Sequence, residues 1–393
     1  VKRLGLVYLT VFAGYAAQQV LTPVLPPLAR QLRLTEFQLG LVITLAAAIV
    51  VVASPIWGRL IGKWGNKRVL LTALSGCVVG LLGLALTAQF VFVPAVVFGL
   101  LLLTRGVIFG AALAAVPVAG QAIVAGATTG EKERVKGIAL IGAVQGLALI
   151  VGPALGGLLA GAGLLAPLYV TPALLVVVAV FIAIKLPSTK TQEVTKPPKL
   201  SPFDARLWPS LVTGFGLFLA LSFLQVTLGF LIQDRLGLAP DAAARMTGWA
   251  LVAAGVPFLL CQALVVPKLG WSPARLLRTG LPLAVIGFAL VAPADSFAWI
   301  LGAIVVLSIG LGLAVPGYTT APTLLVSHAE QAGVAGLIGA TNALTFVVGP
   351  ILATSLYSAS PGLPYLSGAI LLAAIAVFVF VRRAPVRAEV ESV

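Results

Sequence analysis

Charge is what this chain has least of. Only 9% of its 393 residues are Asp, Glu, Lys or Arg, against roughly 25% in a soluble domain. Histidine occurs once, at His328, and there are only 11 acidic residues. Metal centres and hydrolytic sites are built from clusters of His, Cys, Ser and carboxylates. That material is missing, so no metal, no cofactor and no enzymatic activity is expected. The two cysteines, Cys77 and Cys261, each fall inside an apolar stretch and read as small buried thiols. Rings of charge or repeated filter sequences, which a channel would need, are also absent.

What fills the chain is hydrophobic, at 60% of residues. Segments of about 20 apolar residues can span a bilayer, and a spanning backbone must satisfy its own hydrogen bonds as a helix or closed barrel. The runs are continuous rather than alternating, so helices are expected near 4–28, 37–61, 68–88, 94–124, 137–162, 167–186, 208–235, 244–267, 275–293, 297–326, 334–357 and 362–381. The fold class is therefore an all-α membrane protein with twelve spans. The first span continues into Pro23 and Pro26 with no cleavage-site pattern, so it is expected to be retained rather than removed as a signal peptide.

The net charge of +14 does not indicate a nucleic-acid partner, because the bases lie in short segments between spans. If the N-terminus is inside, 20 Lys and Arg fall on the inner side, from Lys2 and Arg3 to Arg382, Arg383 and Arg387. Only 4, namely Arg30, Arg33, Arg235 and Arg245, fall outside. The positive-inside rule then places both termini in the cytoplasm. The single long polar stretch, 187–207, is proline-rich and basic, which is linker composition.

The two sides of that linker look like repeats. Lys63-Trp64-Gly65 returns as Lys268-Leu269-Gly270, 205 residues on; Gln19 has Gln225 206 residues on; Gln145 and Asn342 each stand seven residues before a Gly-Pro pair, at Gly152-Pro153 and Gly349-Pro350. The expected organisation is a six-helix bundle over 1–186, a linker over 187–207 and a second bundle with a short tail over 208–393. Repeats of this kind place a shared site near the membrane midplane.

The stretch Gly58-Arg59-Leu60-Ile61-Gly62-Lys63-Trp64-Gly65-Asn66-Lys67-Arg68 resembles the signature between helices 2 and 3 of the major facilitator superfamily, G-x-L-a-D-r-x-G-r-k. Gly58, Leu60, Lys63, Gly65 and Lys67 fill its places, while Gly62 stands where the family usually has aspartate. In that family the loop helps lock the outward-facing state. Gly152-Pro153-Ala154-Leu155-Gly156-Gly157 is similar to the G-P-x-x-G-G pattern of antiporters, drug–proton exporters especially. Arg105 resembles the family's intramembrane arginine, with the following glycine one place late at Gly110. The resemblance implies two six-helix bundles, transport by alternating access and export by proton antiport.

The residues have a physical logic of their own. The glycines of 58–71 permit a tight reversal, and its four bases hold that end inside. Gly142 and Gly146, Gly152 and Gly156, and Gly157 and Gly161 are spaced four apart, which lets helices approach closely; Pro153 adds a bend. Arg105 lies about ten residues into its span, roughly 15 Å deep. An arginine there costs on the order of 3 kcal/mol, so it is expected to face the interior, either to hold an anionic substrate group or to bond structurally to neighbouring helices. Tyr15, Gln18, Gln19 and Thr22 share one helix face. Gln145, Gln225, Gln262, Tyr318, Asn342 and Phe346 add neutral polar or aromatic groups that could orient a ligand; interhelical bonding is the alternative reading.

No acid falls at an expected helix centre, where a proton-driven transporter usually carries one. The best coupling candidates are Asp234 and Glu36, at helix ends. The expected function is export of a small amphipathic organic compound, with anionic substrates favoured by Arg105. Three alternatives stay open: an uptake facilitator or uniporter for a polar solute or organic anion, a transporter without proton coupling, and a lipid flippase. The expected partners are the small-molecule substrate, the lipid bilayer and protons, with the protein monomeric in a bacterial inner membrane.

Overall fold

The computed structural model describes residues 2–90, 93–128, 131–186, 200–327 and 330–381. His328, residues 187–199 of the expected linker and the bases Arg382, Arg383 and Arg387 lie outside the described residues. Among the described residues all regular structure is helical, and twelve helices are long and apolar enough to cross a membrane. They are α1 (Leu4–Gln31), α2 (Glu36–Trp64), α3 (Asn66–Gln89), α4 (Pro94–Ala127), α5 (Lys136–Ala160), α6 (Ala166–Lys185), α7 (Trp208–Leu236), α8 (Pro240–Leu269), α9 (Pro273–Val291), α10 (Phe297–Leu325), α11 (Gly333–Ala359) and α12 (Leu363–Val381). The number and class of the expected spans are those observed. Helix α8 starts at Pro240 rather than 244, because Pro240 and Asp241 open it. Proline and an acid suit a first helical turn but carry no hydropathy signal.

Contacts divide the chain into two compact units. One is Val1–Val194 with Val226–Val252; the other is Thr195–Gln225 with Ala253–Val393. In the first unit, α1 packs on α5 and α6, α2 on α4, and α3 on α4 and α6. Helix α2 opens with a reciprocal cap: the Gln38 N–H donates to Thr35 Oγ1 at 3.2 Å, and the Thr35 N–H donates to Gln38 Oε1 at 2.9 Å. It runs without break through Gly58 and Gly62 to Trp64. The reversal into α3 is carried by Gly65 alone, at φ +79°, a conformation that side chains other than glycine rarely adopt. Gly58 and Gly62, expected to share in that reversal, lie inside the helix.

Several hydroxyls inside the spans turn back on their own helix. Thr10 Oγ1 donates to Leu6 O at 2.7 Å, Thr247 to Ala243 O at 2.7 Å and Thr354 to Pro350 O at 2.8 Å. Each bond satisfies a donor that hydrocarbon could not.

The glycines of α5 divide by surroundings. A Cβ on Gly152 would lie 3.0 Å from Ala16 O, and one on Gly156 would lie 2.3 Å from Val20 O. A Cβ on Gly157 would lie 2.9 Å from the Cα of Gly248. These three let α5 meet α1 and the first turns of α8 backbone to backbone. Gly142 and Gly146, which share the same spacing, meet nothing within 4 Å. Gly156→Ala is therefore expected to destabilise the protein by about 1–3 kcal/mol through overpacking. Gly142→Ala should be neutral or stabilising by up to about 1 kcal/mol through helix propensity. Thermal melts of the two purified variants, compared with the parent, check the pair.

In the second unit, α9 packs on α10 and α12. The Trp208 and Phe378 rings pack at a tilt of 50°, with their centres 5.7 Å apart. Just before α7, Arg206 Nη2 donates to Asp204 Oδ2 at 2.8 Å and to Glu330 Oε1 at 3.2 Å. Glu330 Oε2 also accepts from the Ser327 N–H at 2.9 Å. Bonds from Arg206 hold the Asp204 carboxyl below its ordinary value of 3.8. The Ser327 backbone, then the Arg206 side chain, hold that of Glu330 below 4.5. A carboxyl whose folded pKa is depressed stabilises the fold above its unfolded value, and the contribution fades as pH falls through the folded value. Amide protection factors around residues 204 and 330, corrected for the intrinsic pH dependence of exchange, are expected to hold from neutral pH down to the ordinary carboxylate range and to fall below it. Arg206→Ala should flatten that dependence.

Candidate functional site

In the first unit the polar interior centres on Arg105. It sits in a π-helical stretch of α4, Leu102–Ile108, and is 5% exposed. Its guanidinium lies over the Phe109 ring, 4.7 Å from the centroid. Its Nε is buried without an acceptor, and no salt bridge reaches it among the described residues. Burial follows from the close fit of α4 to both neighbours. A Cβ on Gly80 of α3 would lie 2.9 Å from Thr104 O, and one on Gly110 would lie 2.8 Å from Ala46 O of α2. The π turn explains why the glycine after Arg105 comes one place late. An i→i+5 turn holds more residues than an α turn, so Gly110 returns to the face against α2 despite the extra residue.

The same unit also carries the neutral polar groups that the sequence offered on α1 and α5. Gln19 is buried, its Cβ against Gly152 of α5. Tyr15, Gln18 and Gln145 are half-buried. Among the described residues, no side-chain hydrogen bond joins Gln18, Gln19 or Gln145 to the protein. These amides sit in an apolar interior with donors and acceptors to offer.

A second charged cluster lies where α1 ends. Arg30 Nη2 donates to Glu36 Oε1 at 3.0 Å and to Asp234 Oδ2 at 2.8 Å. Arg30 Nη1 also donates to Asp234 Oδ1, which makes the Asp234 pair two-pronged, the strong geometry for guanidinium and carboxylate. The guanidinium stands 4.9 Å from the Phe230 ring centre. The three side chains are a quarter to a third exposed. Both coupling candidates thus meet on one arginine that the sequence had assigned only to membrane topology. Contact between residues 204 positions apart leaves no local signal.

The second unit gathers another group. Tyr318 is fully buried and its hydroxyl donates to Asn342 Oδ1 at 2.9 Å. Phe218 packs edge-on to Tyr318 at 6.1 Å and to Phe346 at 6.5 Å between ring centres. Ser222 Oγ is buried without a partner, tight against Gly349. Gln225 and Gln262 are half-buried, and Gln262 lies in a second π-helical stretch, Cys261–Val265 of α8. Phe218 escaped the sequence reading because one phenylalanine among many apolar residues carries no distinguishing signal.

Among the described residues no group of His, Cys, Asp and Glu could hold a metal ion. The chemistry available is recognition. A buried cation without a carboxylate suits an anionic group, and aromatic edges with an amide suit a flat, partly polar molecule. Arg105→Met, which keeps length and removes the charge, is expected to raise the thermal midpoint, because it deletes a buried charge without breaking a salt bridge. A midpoint several degrees lower would instead show the guanidinium to be structural.

Comparison with known proteins agrees with the architecture. Residues 7–344 match the family model described as Major Facilitator Superfamily. The tetracycline resistance protein, class G, of Vibrio anguillarum is 29% identical over 357 residues, 87% of each chain. Multidrug resistance protein 1 of Bacillus subtilis (strain 168) is 23% identical over 370 residues, covering 92% of this chain and 91% of the relative. Among solved structures, a bacterial homolog of the human lysosomal transporter Spinster, inward-facing and occupied, matches with a TM-score of 0.75 at 16% identity over 98% of both chains.

Proposed function

Because the chain belongs to the major facilitator superfamily, whose members are membrane transporters and not enzymes, we propose that it exports small amphipathic organic compounds, anionic ones preferred, by proton-coupled alternating access. The proposed setting is a bacterial plasma membrane with both termini in the cytoplasm, and the proposed working parts are the six-helix halves 1–186 and 208–393. Export is supported by relatives whose names record tetracycline and multidrug resistance. The preference for anions rests on one observation: Arg105 is buried with its Nε lacking an acceptor. A cation left without a carboxylate in low dielectric gains most from an incoming negative group.

For substrate contact we assign Arg105 with Tyr15, Gln18, Gln19 and Gln145 on the first unit. On the second unit we assign Gln225, Gln262, Tyr318, Asn342 and Phe346. For coupling we assign Asp234 and Glu36. Both carboxylates are held by Arg30, so a proton on either one weakens an ion pair at the end of α1. The reversal around Gly65, with Lys63 and Lys67, and the close contacts of Gly152, Pro153, Gly156 and Gly157 are the proposed conformational elements.

The test is flux of tetracycline and of a panel of amphipathic organic anions in proteoliposomes, with and without an imposed pH gradient. Arg105→Ala is expected to lower anion transport about 30-fold or more, the equivalent of roughly 2 kcal/mol for truncating a buried charge contact. Asp234→Asn with Glu36→Gln should remove the response to the gradient while downhill flux persists. Unaltered anion transport in Arg105→Ala would end the substrate reading. A parent protein indifferent to the gradient would end the antiport reading and leave a facilitator.

A further inference from the structure

On either side of the Gly65 reversal, the end of α2 and the start of α3 carry four bases, Arg59, Lys63, Lys67 and Arg68, and no acid. Among the described residues none of the four enters a salt bridge. Among the described residues no carboxylate neutralises the cluster, which leaves it open to an external counter-charge. On the same side of α3 an apolar groove opens against α6, about 350 Å³ in volume. Leu71, Ser75 and Val79 form one wall, and Val176, Val180 and Ala183 form the other. Val79 and Val180 are half exposed, at 56% and 51%. The groove therefore lies on the outside of the helix pair, away from the buried Cys77 and Gly80, which face the interior.

The bases stand at one end of this groove. Lys67 and Arg68 come four and three residues before Leu71, so both lie on its helix face, about one turn beyond it. Arg68 is exposed and Lys67 half-buried. The helices run antiparallel there, since the Tyr169 hydroxyl near the start of α6 donates to Gln89 Oε1 at the end of α3. Lys185, the last residue of α6, thus adds a third positive charge at the same end.

We propose that this groove is a binding site for an anionic phospholipid: one acyl chain lies between α3 and α6, and the phosphodiester sits against Lys67 and Arg68. Charge complementarity selects the occupant. An apolar slot that ends in unpaired cations matches a molecule with a hydrocarbon chain at one end and a negative headgroup at the other. Neither a zwitterionic lipid nor a soluble phosphate supplies both halves. The proposal is independent of the transported substrate, because the groove faces away from Arg105.

The full-length protein in detergent is titrated with phosphatidylglycerol, phosphatidylcholine and glycerophosphate, reading bound lipid by native mass spectrometry and the thermal midpoint in parallel. Phosphatidylglycerol is expected to bind about tenfold or more tightly than phosphatidylcholine, as two surface bases warrant. The Lys67→Gln, Arg68→Gln double variant should lose that preference, and Ala183→Phe, which fills the slot, should weaken both lipids. Arg59→Gln, outside the groove, should keep it. Equal binding of the two lipids, equal stabilisation by glycerophosphate, or an unchanged preference in the double variant would each overturn the site. If the double variant fails to fold, Ala183→Phe decides alone: full phosphatidylglycerol binding in that variant refutes the site.

Discussion

Hydrocarbon offers no hydrogen bonds, and most of this molecule follows from that. A chain that crosses the membrane must satisfy each polar group from its own atoms. The backbone does so by remaining helical through every span, and Thr10, Thr247 and Thr354 do so by donating to the carbonyl one turn back. Arg206, Asp204 and Glu330 stand at the ends of spans, where they find one another. Set against this rule, the groups that escape it are informative, and the largest are Arg105 and Arg278, each with a buried Nε that lacks an acceptor.

The same solvent removes the usual reason for helices to associate. Lipid tails are as apolar as leucine, so packing in a membrane depends on close van der Waals fit. That is why glycine matters here only at particular places. Gly152, Gly156 and Gly157 let backbones touch, whereas Gly142 and Gly146 face open space. Spacing along the helix cannot separate the two sets. The difference lies in what stands opposite, which only tertiary structure supplies.

This marks how far the sequence could be read. The number of spans was legible because hydropathy over about 20 residues is a strong signal. The burial of Arg105 was legible because an exposed guanidinium in lipid is costly. The π-helical turn around it was not, although the late glycine at Gly110 was a visible trace of it. A one-residue excess between two motif positions can be absorbed by a loop, a kink or a wider turn, and the sequence does not choose among them. The meeting of Arg30 with Asp234 and Glu36 was also out of reach. Asp234 was read only as an acid at a helix end, since position along the chain is all that a linear pattern offers. Gly58 and Gly62 look like reversal glycines but lie within α2, because one residue with positive φ is enough to turn the chain.

Arg30 and Arg105, both in the first unit, then differ in a way that bears on the proposed transport. Arg30, at a helix end and partly wet, is saturated by two carboxylates. Arg105, deep and dry, has an aromatic face and a buried Nε without an acceptor. Water and acids were affordable partners at the first position. At the second, a resident carboxylate would neutralise the cation permanently and leave nothing for a ligand to gain. A transporter requires attraction that is available when the site is empty and spent when it is full. An unpaired cation held by packing alone, in a turn wider than its neighbours, meets that requirement; a paired one does not. The scarcity of acids in the spans fits the proposed reading of the site, since a carboxylate near Arg105 would occupy the place assigned to an anionic substrate group.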